Sequence, residues 1–278
     1  MNWMKYRWLY LLISGIVIGA GIFSLFKWGL RIGIDFSGGA VFEYRFPSGE
    51  VKTLKYPPLT EGEIEKVRQD FKNQKAEEVR FETVGPSVGP ELIKKTFYAI
   101  AVASSLILLW VAYQFKSIKF GASAVLAMIH DSLVLIGSFA LLGHFFQAEV
   151  DFLFVTAILT ILSFSVHDTI VVYDRVRETR KKIGGGMTEM ANMAISQTMV
   201  RSLNNSFTII FMLTALILLG GETIKWFAVA LLIGTVSGTY SSPFVAVSLL
   251  VTWDEIEKKF KKSTTSRVKK VPPRGWNI

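Results

Sequence analysis

The sequence contains no cysteine and only three histidines among its 278 residues. The lack of cysteine excludes a disulfide framework, a thiolate metal site and thiol redox chemistry. The histidines, His130, His144 and His167, lack the spacing typical of zinc ligands, so no metal or other cofactor is expected. Because no small-x-small cleavage site follows the first apolar segment, we expect an uncleaved membrane anchor there rather than a signal peptide.

Long apolar runs dominate what is present. Hydrophobic residues make up 51% of the chain, and the mean hydropathy is +0.40. Several runs approach or exceed the roughly 20 residues that a bilayer-spanning helix needs. They are 9–26, 96–115, 120–142, 152–173, 203–219 and 226–252. The sequence therefore predicts a polytopic α-helical membrane protein with six spans, the first in residues 1–28 and the others in residues 96–253.

The net charge of +9 has a topological explanation. A basic chain could bind nucleic acid, but here the lysines and arginines collect in alternate connections, before span one, between spans two and three and in the connection 174–201. By the positive-inside rule, both termini are expected to lie in the cytoplasm. The basic tail, residues 254–278, is expected to be disordered from Lys258 onward, either solvated or attracted to anionic lipid or ribosomal RNA. We favour the solvated tail and expect no specific nucleic-acid partner.

Residues 29–95 form the one sizeable segment outside the membrane, and this topology exports it from the cytoplasm. A strand is expected at 41–46 after the Ser37-Gly38-Gly39 turn, and a second one at 78–84. Thr60 and Glu63 form a capping-box pattern at the start of a helix over 60–72. The segment thus predicts a small α+β domain, joined to span two through 85–90, which is either a stiff hinge or an ordinary loop.

Asp168 is the most informative residue, because it lies inside the fourth apolar run. A charged aspartate at a helix centre costs roughly 2.5–3.5 kcal/mol on insertion scales, so such residues usually face a bundle interior, a water path or a cation. Arg201, at the start of span five, is placed to pair with it, and Asp131 is a second acid at mid-depth of span three. We interpret these three residues as a proton pathway in which movement of Arg201 switches the proton occupancy of Asp168. The alternative is a fixed ion pair that only orients two helices.

Several weaker sequence patterns accompany these acids. Thr169 and Thr198 supply hydroxyls near the depth of Asp168 and, with His167, are candidate modulators of its chemistry, although a structural role is favoured for His167. Residues 187–200 have the spacing of an amphipathic helix, which either lies at the interface or packs within the protein. Gly-x-x-x-Gly patterns at 15–19 and 234–238 allow close helix contacts.

Taken together, several motifs resemble those of the SecD/SecF family of protein-export membrane proteins, which is itself similar to the RND superfamily. The first is Gly33-Ile34-Asp35-Phe36-Ser37-Gly38-Gly39, with Asp35, Gly38 and Gly39 in its turn. The others are Val84–Gly89, His130-Asp131, Ser165–Thr169 with Asp174–Glu178, Gln197-Thr198 with Arg201-Ser202, and Gly220–Thr223. The resemblance covers nearly the whole chain.

This resemblance implies a non-enzymatic subunit that pairs with SecD, works beside the SecYEG translocon and uses the proton-motive force to move and release preproteins on the outer side. It also implies a ferredoxin-like exported domain, and proton-pathway roles for Asp168 and Arg201. His167 stands where the family usually has Asn, which leaves sodium coupling open. A small-molecule exporter is disfavoured because the 144–151 loop is too short for a second large domain, and an uncoupled scaffold remains the third possibility.

Overall fold

The computed structural model describes residues 1–85 and 88–268, without the side chains of residues 88, 222 and 261–268. Within these residues, six helices are long and apolar enough to cross a membrane, and a small domain with a three-stranded sheet follows the first of them. The structure thereby confirms the predicted fold class, a polytopic helical protein with one small α+β domain.

The first part of the chain enters the membrane and then builds the α+β domain. A 3₁₀ turn, Trp3–Tyr6, leads into α1 (Arg7–Trp28). The domain follows with α2 (Ile34–Ser37), β1 (Gly39–Arg45), β2 (Val51–Tyr56), α3 (Glu61–Asn73) and β3 (Glu77–Val84). The rest is helical: α4 (Val88–Phe115), α5 (Ile118–Phe146), α6 (Phe152–Ile183), α7 (Met187–Leu219), α8 (Glu222–Ser241) and α9 (Val247–Val268).

The domain sheet is antiparallel in the order β2-β1-β3, so β1 lies at its centre. Phe42 of β1 is fully buried, opposite Leu54 and Phe81, and α3 packs over this face. The predicted capping box is present, since Thr60 and Glu63 bond reciprocally at the start of α3. The prediction missed β2, because this edge strand is largely exposed and its short Val-Lys-Thr-Leu-Lys-Tyr pattern carries little apolar signal.

Several helices extend beyond the spans predicted from the sequence. The segment 187–200 is the first part of α7 and not a separate interfacial helix, because α6 continues to Ile183 and only 184–186 connect the two. The predicted disordered tail is wrong as far as Val268, since α9 is helical there and its first part is held by ion pairs. Glu255 pairs with Arg7 at 2.6 Å, and Asp254 with Lys258 at 2.7 Å. Residues 269–278 lie outside the described residues, as do residues 86 and 87 of the predicted hinge.

Helix α6 lies at the centre of the bundle, where α8 approaches it closely. A β-carbon added to Gly234 would clash with the Ile161 side chain, and one added to Gly238 would lie 3.3 Å from Ser165. The second Gly-x-x-x-Gly pattern therefore marks a real helix contact. In the first pattern, a β-carbon added to Gly15 or Gly19 would meet no described atom within 4 Å, and both glycines lie on the exposed face of α1.

A π-helical turn, Ser242–Ala246, separates α8 from α9. Pro243 lies in this turn, and its ring nitrogen cannot donate the hydrogen bond that would continue the helix. The turn places the hydroxyls of Ser241 and Ser242 towards α5 and α6, where both are fully buried. Turns of this kind are often found at functional sites.

Candidate functional site

The Asp131 carboxylate on α5 lies in a cage of hydroxyl groups in the bundle interior. It is completely buried, and its Oδ1 accepts a hydrogen bond from Ser237 at 2.6 Å. Its Oδ2 accepts bonds from Ser165 at 2.6 Å and from Ser241 at 2.7 Å. Nδ1 of His130 lies 3.0 Å from Oδ1. Four neighbours from three helices therefore satisfy one completely buried carboxyl group.

Asp168 on α6 is also buried, with 6% of its surface exposed. Its Oδ2 accepts a hydrogen bond from Ser202 of α7 at 2.6 Å. Ser165, which donates to Asp131, lies three residues before Asp168 on α6. The Asp131 carboxyl group therefore bonds to α6 one turn away from Asp168. Within the described residues, neither carboxyl group has an ion pair with lysine or arginine.

Arg201 does not form the predicted ion pair with Asp168. The side chain is exposed, whereas its neighbour Ser202 is buried and occupies the position facing α6. Adjacent residues of a helix point about 100° apart, so only one of these two can face Asp168. The helix rotation that selects Ser202 is a property of packing, and the residue spacing in the sequence does not reveal it.

Arg201 instead lines a polar cavity of about 530 Å³ at the end of the bundle opposite the α+β domain. Asp174 and Glu178 contribute acidic groups to the same cavity, and Thr198 and Val171 form its inner part. Val171 lies three residues after Asp168 on α6, so the cavity reaches to within one helical turn of the buried acid. The cavity therefore brings polar groups at one end of the bundle to within about one helical turn of Asp168.

The remaining predicted modulators occupy different environments. Thr169 is buried and its hydroxyl lies 3.0 Å from that of Ser242, while Thr198 is buried and donates to the Ala194 carbonyl at 2.9 Å. His167 is exposed on the outer face of α6 and makes no hydrogen bond to Asp168 within the described residues, so its role as a modulator stays a prediction. Sequence reasoning missed Ser237, Ser241 and Ser242, and the signal that could have found them is Pro243 beside a run of serines in an apolar segment.

Asp35 joins the α+β domain to α6. Its Oδ2 accepts a hydrogen bond from the backbone N–H of Phe152, the first residue of α6, at 2.8 Å. The backbone before Asp35 pairs with the α5–α6 connection. The Gly33 N–H donates to the Val150 carbonyl at 2.9 Å, and the Val150 N–H donates to the Arg31 carbonyl at 2.8 Å. The predicted motif turn is thus the attachment point between the domain and the helix that carries Asp168.

Asp151 completes this junction as the N-cap of α6, accepting from the Phe154 N–H at 2.8 Å. Burial raises the pKa of Asp151, and the nearby charge of Asp35 raises it further, although the bond from Phe154 opposes both. The turn itself requires glycine: Gly39 has φ +136°, and a β-carbon there would lie 2.6 Å from the Tyr56 carbonyl oxygen. Gly38 precedes it with φ 72°.

Two buried carboxyl groups in the bundle, and an α+β domain attached to the helix that carries one of them, define a class of protein. It is a polytopic membrane protein with ionisable groups in the bundle interior, where such groups mark ion pathways. Within the described residues, no three His, Asp or Glu side chains come together as a metal-ligand group.

Comparison with known proteins narrows this class. The family model described as "Protein export membrane protein SecD/SecF, C-terminal" matches residues 63–256. A protein translocase subunit SecF from Thermobaculum terrenum is 40% identical, over 90% of this chain and 93% of its own length. One from Sebaldella termitidis is 36% identical, over 93% of this chain and 92% of its own length.

Solved structures agree with the sequence comparison. The crystal structure of SecDF from Thermus thermophilus superposes with a TM-score of 0.82 at 31% identity and covers 92% of this chain. The chain spans only 39% of that SecDF chain. The chain belongs to the SecD/SecF family.

Proposed function

We propose that this chain is the SecF-type subunit of the Sec protein-export machinery. It acts with a SecD-type partner beside the SecYEG translocon, and it uses the proton-motive force to promote preprotein translocation and release on the outer side. Its role is transport and not catalysis. The observation that carries the proposal is the buried Asp168 carboxyl group, which bonds to Ser202 and lies one turn from a polar cavity.

The need for a partner follows from the size and the surface of the chain. Relatives of this chain include SecDF proteins, whose name combines the SecD-type and SecF-type parts. This chain spans about 40% of a SecDF chain of known structure. Helix α6 exposes polar side chains at Thr156, Thr160, Ser163 and His167, which lie three or four residues apart on one face. A polar stripe on a transmembrane helix is better covered by protein than by lipid. We assign this stripe to the contact with the SecD-type partner.

Proton transfer would begin in the cavity lined by Arg201. Protons reach the cavity from the adjoining solution and load Asp168, while Ser202 releases or retains its hydrogen bond to the carboxyl group. Asp131 is the second acid of the pathway, one turn away along α6 through Ser165. Each charge moved across 100 mV delivers roughly 2.3 kcal/mol, so a few protons supply enough free energy to shift a helix against its neighbours.

The Asp35 junction would convert such a shift into movement of the exported domain. Because Asp35 and the 31–33 backbone bond directly to the start of α6 and to Val150, a displacement of α6 pulls on the base of the domain. Arg80 of β3 also donates to Thr223, near the start of α8, at 2.8 Å. The domain is therefore attached to both helices that supply the hydroxyl cage.

We place the protein in the cytoplasmic (inner) membrane, as membership of the SecD/SecF family implies. On the basis of the basic connections, both termini lie in the cytoplasm and the α+β domain lies on the outer side. The cavity at Arg201 then opens towards the cytoplasm. A labelling experiment tests this orientation: a single cysteine introduced at the exposed Asp70 should react with a membrane-impermeant maleimide in intact cells, since the chain has no native cysteine.

The central test uses inverted vesicles that hold the full chain, its SecD-type partner and the translocon. Asp168→Asn should abolish proton-linked export and proton flux at unchanged protein level, and Arg201→Gln should reduce both. Asp70→Asn, the same chemical change on the exposed surface of the domain, is the matched control and should export normally. Wild-type export and flux in Asp168→Asn would refute ion coupling and leave the scaffold role. Replacing the proton gradient with a sodium gradient distinguishes the coupling ion.

A further inference from the structure

A second cavity, of about 460 Å³, lies between α1, α5 and α8 within the membrane-spanning part. Its walls are mostly apolar and include Ile13, Val17, Val134 and Val236. The volume falls within the range of about 300–1,000 Å³ that small-molecule sites usually have. His130 and Ser237, which also contact Asp131, line one side of it, and the proposed function assigns no ligand to the cavity.

Two buried polar atoms at this cavity have no hydrogen-bond partner within the described residues. They are Oγ of Ser14 and Nε2 of His130, whose residues both line the cavity. Ser14 is 5% exposed and His130 is 7% exposed. Buried polar groups are almost always hydrogen-bonded, and leaving one unpaired costs about 1–3 kcal/mol. Both groups therefore need a hydrogen-bond partner that the described residues do not supply.

The chemistry of these two groups specifies the ligand. Nδ1 of His130 lies 3.0 Å from an Asp131 carboxyl oxygen, and in the tautomer with its proton on Nδ1 the ring donates to that oxygen. Nε2 is then an acceptor and requires a donor. The Ser14 hydroxyl both donates and accepts. A hydroxyl group satisfies the two together, whereas a charged head group would enter an apolar cavity at high cost.

We propose that this cavity binds a neutral, single-chain lipid that carries a hydroxyl group. The hydroxyl donates to Nε2 of His130 and accepts from Ser14, and the chain lies along Val17 and Val236, which are half-exposed at the cavity mouth.

Binding would also act on the neighbouring acid. A ligand hydroxyl on Nε2 fixes the tautomer in which Nδ1 donates to Asp131, and so it holds His130 in place against the hydroxyl cage. The site is thereby positioned to report the lipid environment to Asp131.

The test uses photocrosslinking in vesicles that contain the full chain with its SecD-type partner. The probe is hexadecanol with a diazirine in its chain, and the control probe is its methyl ether, which cannot donate to Nε2. Adducts are mapped by mass spectrometry on the peptides of α1 and α8. Val236→Trp fills the mouth of the cavity, Ser14→Ala removes one polar contact, and Val102→Trp is the matched control on the exposed face of α4.

We expect the alcohol to label the cavity peptides of the wild type and of Val102→Trp equally. Labelling should fall about tenfold in Val236→Trp, and the ether should label the wild type about tenfold less than the alcohol does. Ser14→Ala should show a smaller loss with the alcohol. Equal labelling by the two probes, equal labelling of Val236→Trp and the wild type, or no cavity adducts at all would overturn the proposal. The last result would indicate that protein covers this face.

Discussion

The hydroxyl cage around Asp131 makes a quantitative prediction about stability. In Asp131→Leu, the carboxylate is replaced by an apolar group of similar shape, and three buried serine hydroxyls lose the acceptor that they share. The ring of His130 loses its partner as well. The variant should therefore be much less stable than a simple change in size would predict.

The magnitude follows from these contacts. Each buried hydroxyl left without a partner costs about 1–3 kcal/mol. Rotation towards backbone carbonyls recovers part of this, since Ser241 already lies 3.4 Å from the Gly238 carbonyl oxygen. Taking the lower value for each of the three serines, we expect the free energy of unfolding to fall by about 3 kcal/mol.

A compensating variant separates the hydrogen bonds from the packing. Adding Ser165→Ala, Ser237→Ala and Ser241→Ala to Asp131→Leu removes both sides of every bond, which is often nearly neutral for stability. Stability should therefore return to within about 1.5 kcal/mol of the wild type. Export should stay low in both variants, because neither has an acid at this position.

The assay is equilibrium unfolding of the purified full chain in mixed micelles, followed by the fluorescence of its seven tryptophans. If Asp131→Leu unfolds within about 0.5 kcal/mol of the wild type, the carboxylate does not hold the cage together. If the compensating variant supports normal export, the cage has no part in ion transfer.

Three further predictions concern the junction and the domain. Asp35→Ala removes the acceptor of the Phe152 N–H, so it should lower the free energy of unfolding by about 0.5–2 kcal/mol and slow export, whereas the exposed Asp70→Ala should do neither. The pKa of Asp151 is raised in the folded protein, so the stabilisation from its protonated form is complete below the ordinary pKa of aspartate and is lost as the pH rises through the pKa of the folded state. Unfolding curves measured over a series of pH values check this, and Asp151→Asn should make the free energy of unfolding less dependent on pH. Gly39→Ala should destabilise the full chain by about 1–3 kcal/mol through its positive φ and its contact with the Tyr56 carbonyl, while Gly62→Ala in α3, which meets nothing within 4 Å, should be neutral or slightly stabilising.

The sequence by itself determined the membrane class, the six spans and the small α+β domain between the first two. Bilayer thickness sets the length of an apolar run, and local capping signals such as Thr60 with Glu63 act within a few residues. The buried acids were predictable for the same reason, since a carboxylate within a lipid-length run is visible without knowledge of the fold.

Only the tertiary structure decided which groups meet these acids. Asp131 bonds to Ser241, which is 110 residues away, and Asp168 bonds to Ser202 rather than forming an ion pair with Arg201. The first outcome depends on how α8 packs beside α5 and α6, which is close at Gly234 and Gly238 and is followed by the π turn at Pro243. The second depends on which face of α7 meets α6. Helix rotation is a balance of many distant contacts, so residue spacing along one helix does not determine it.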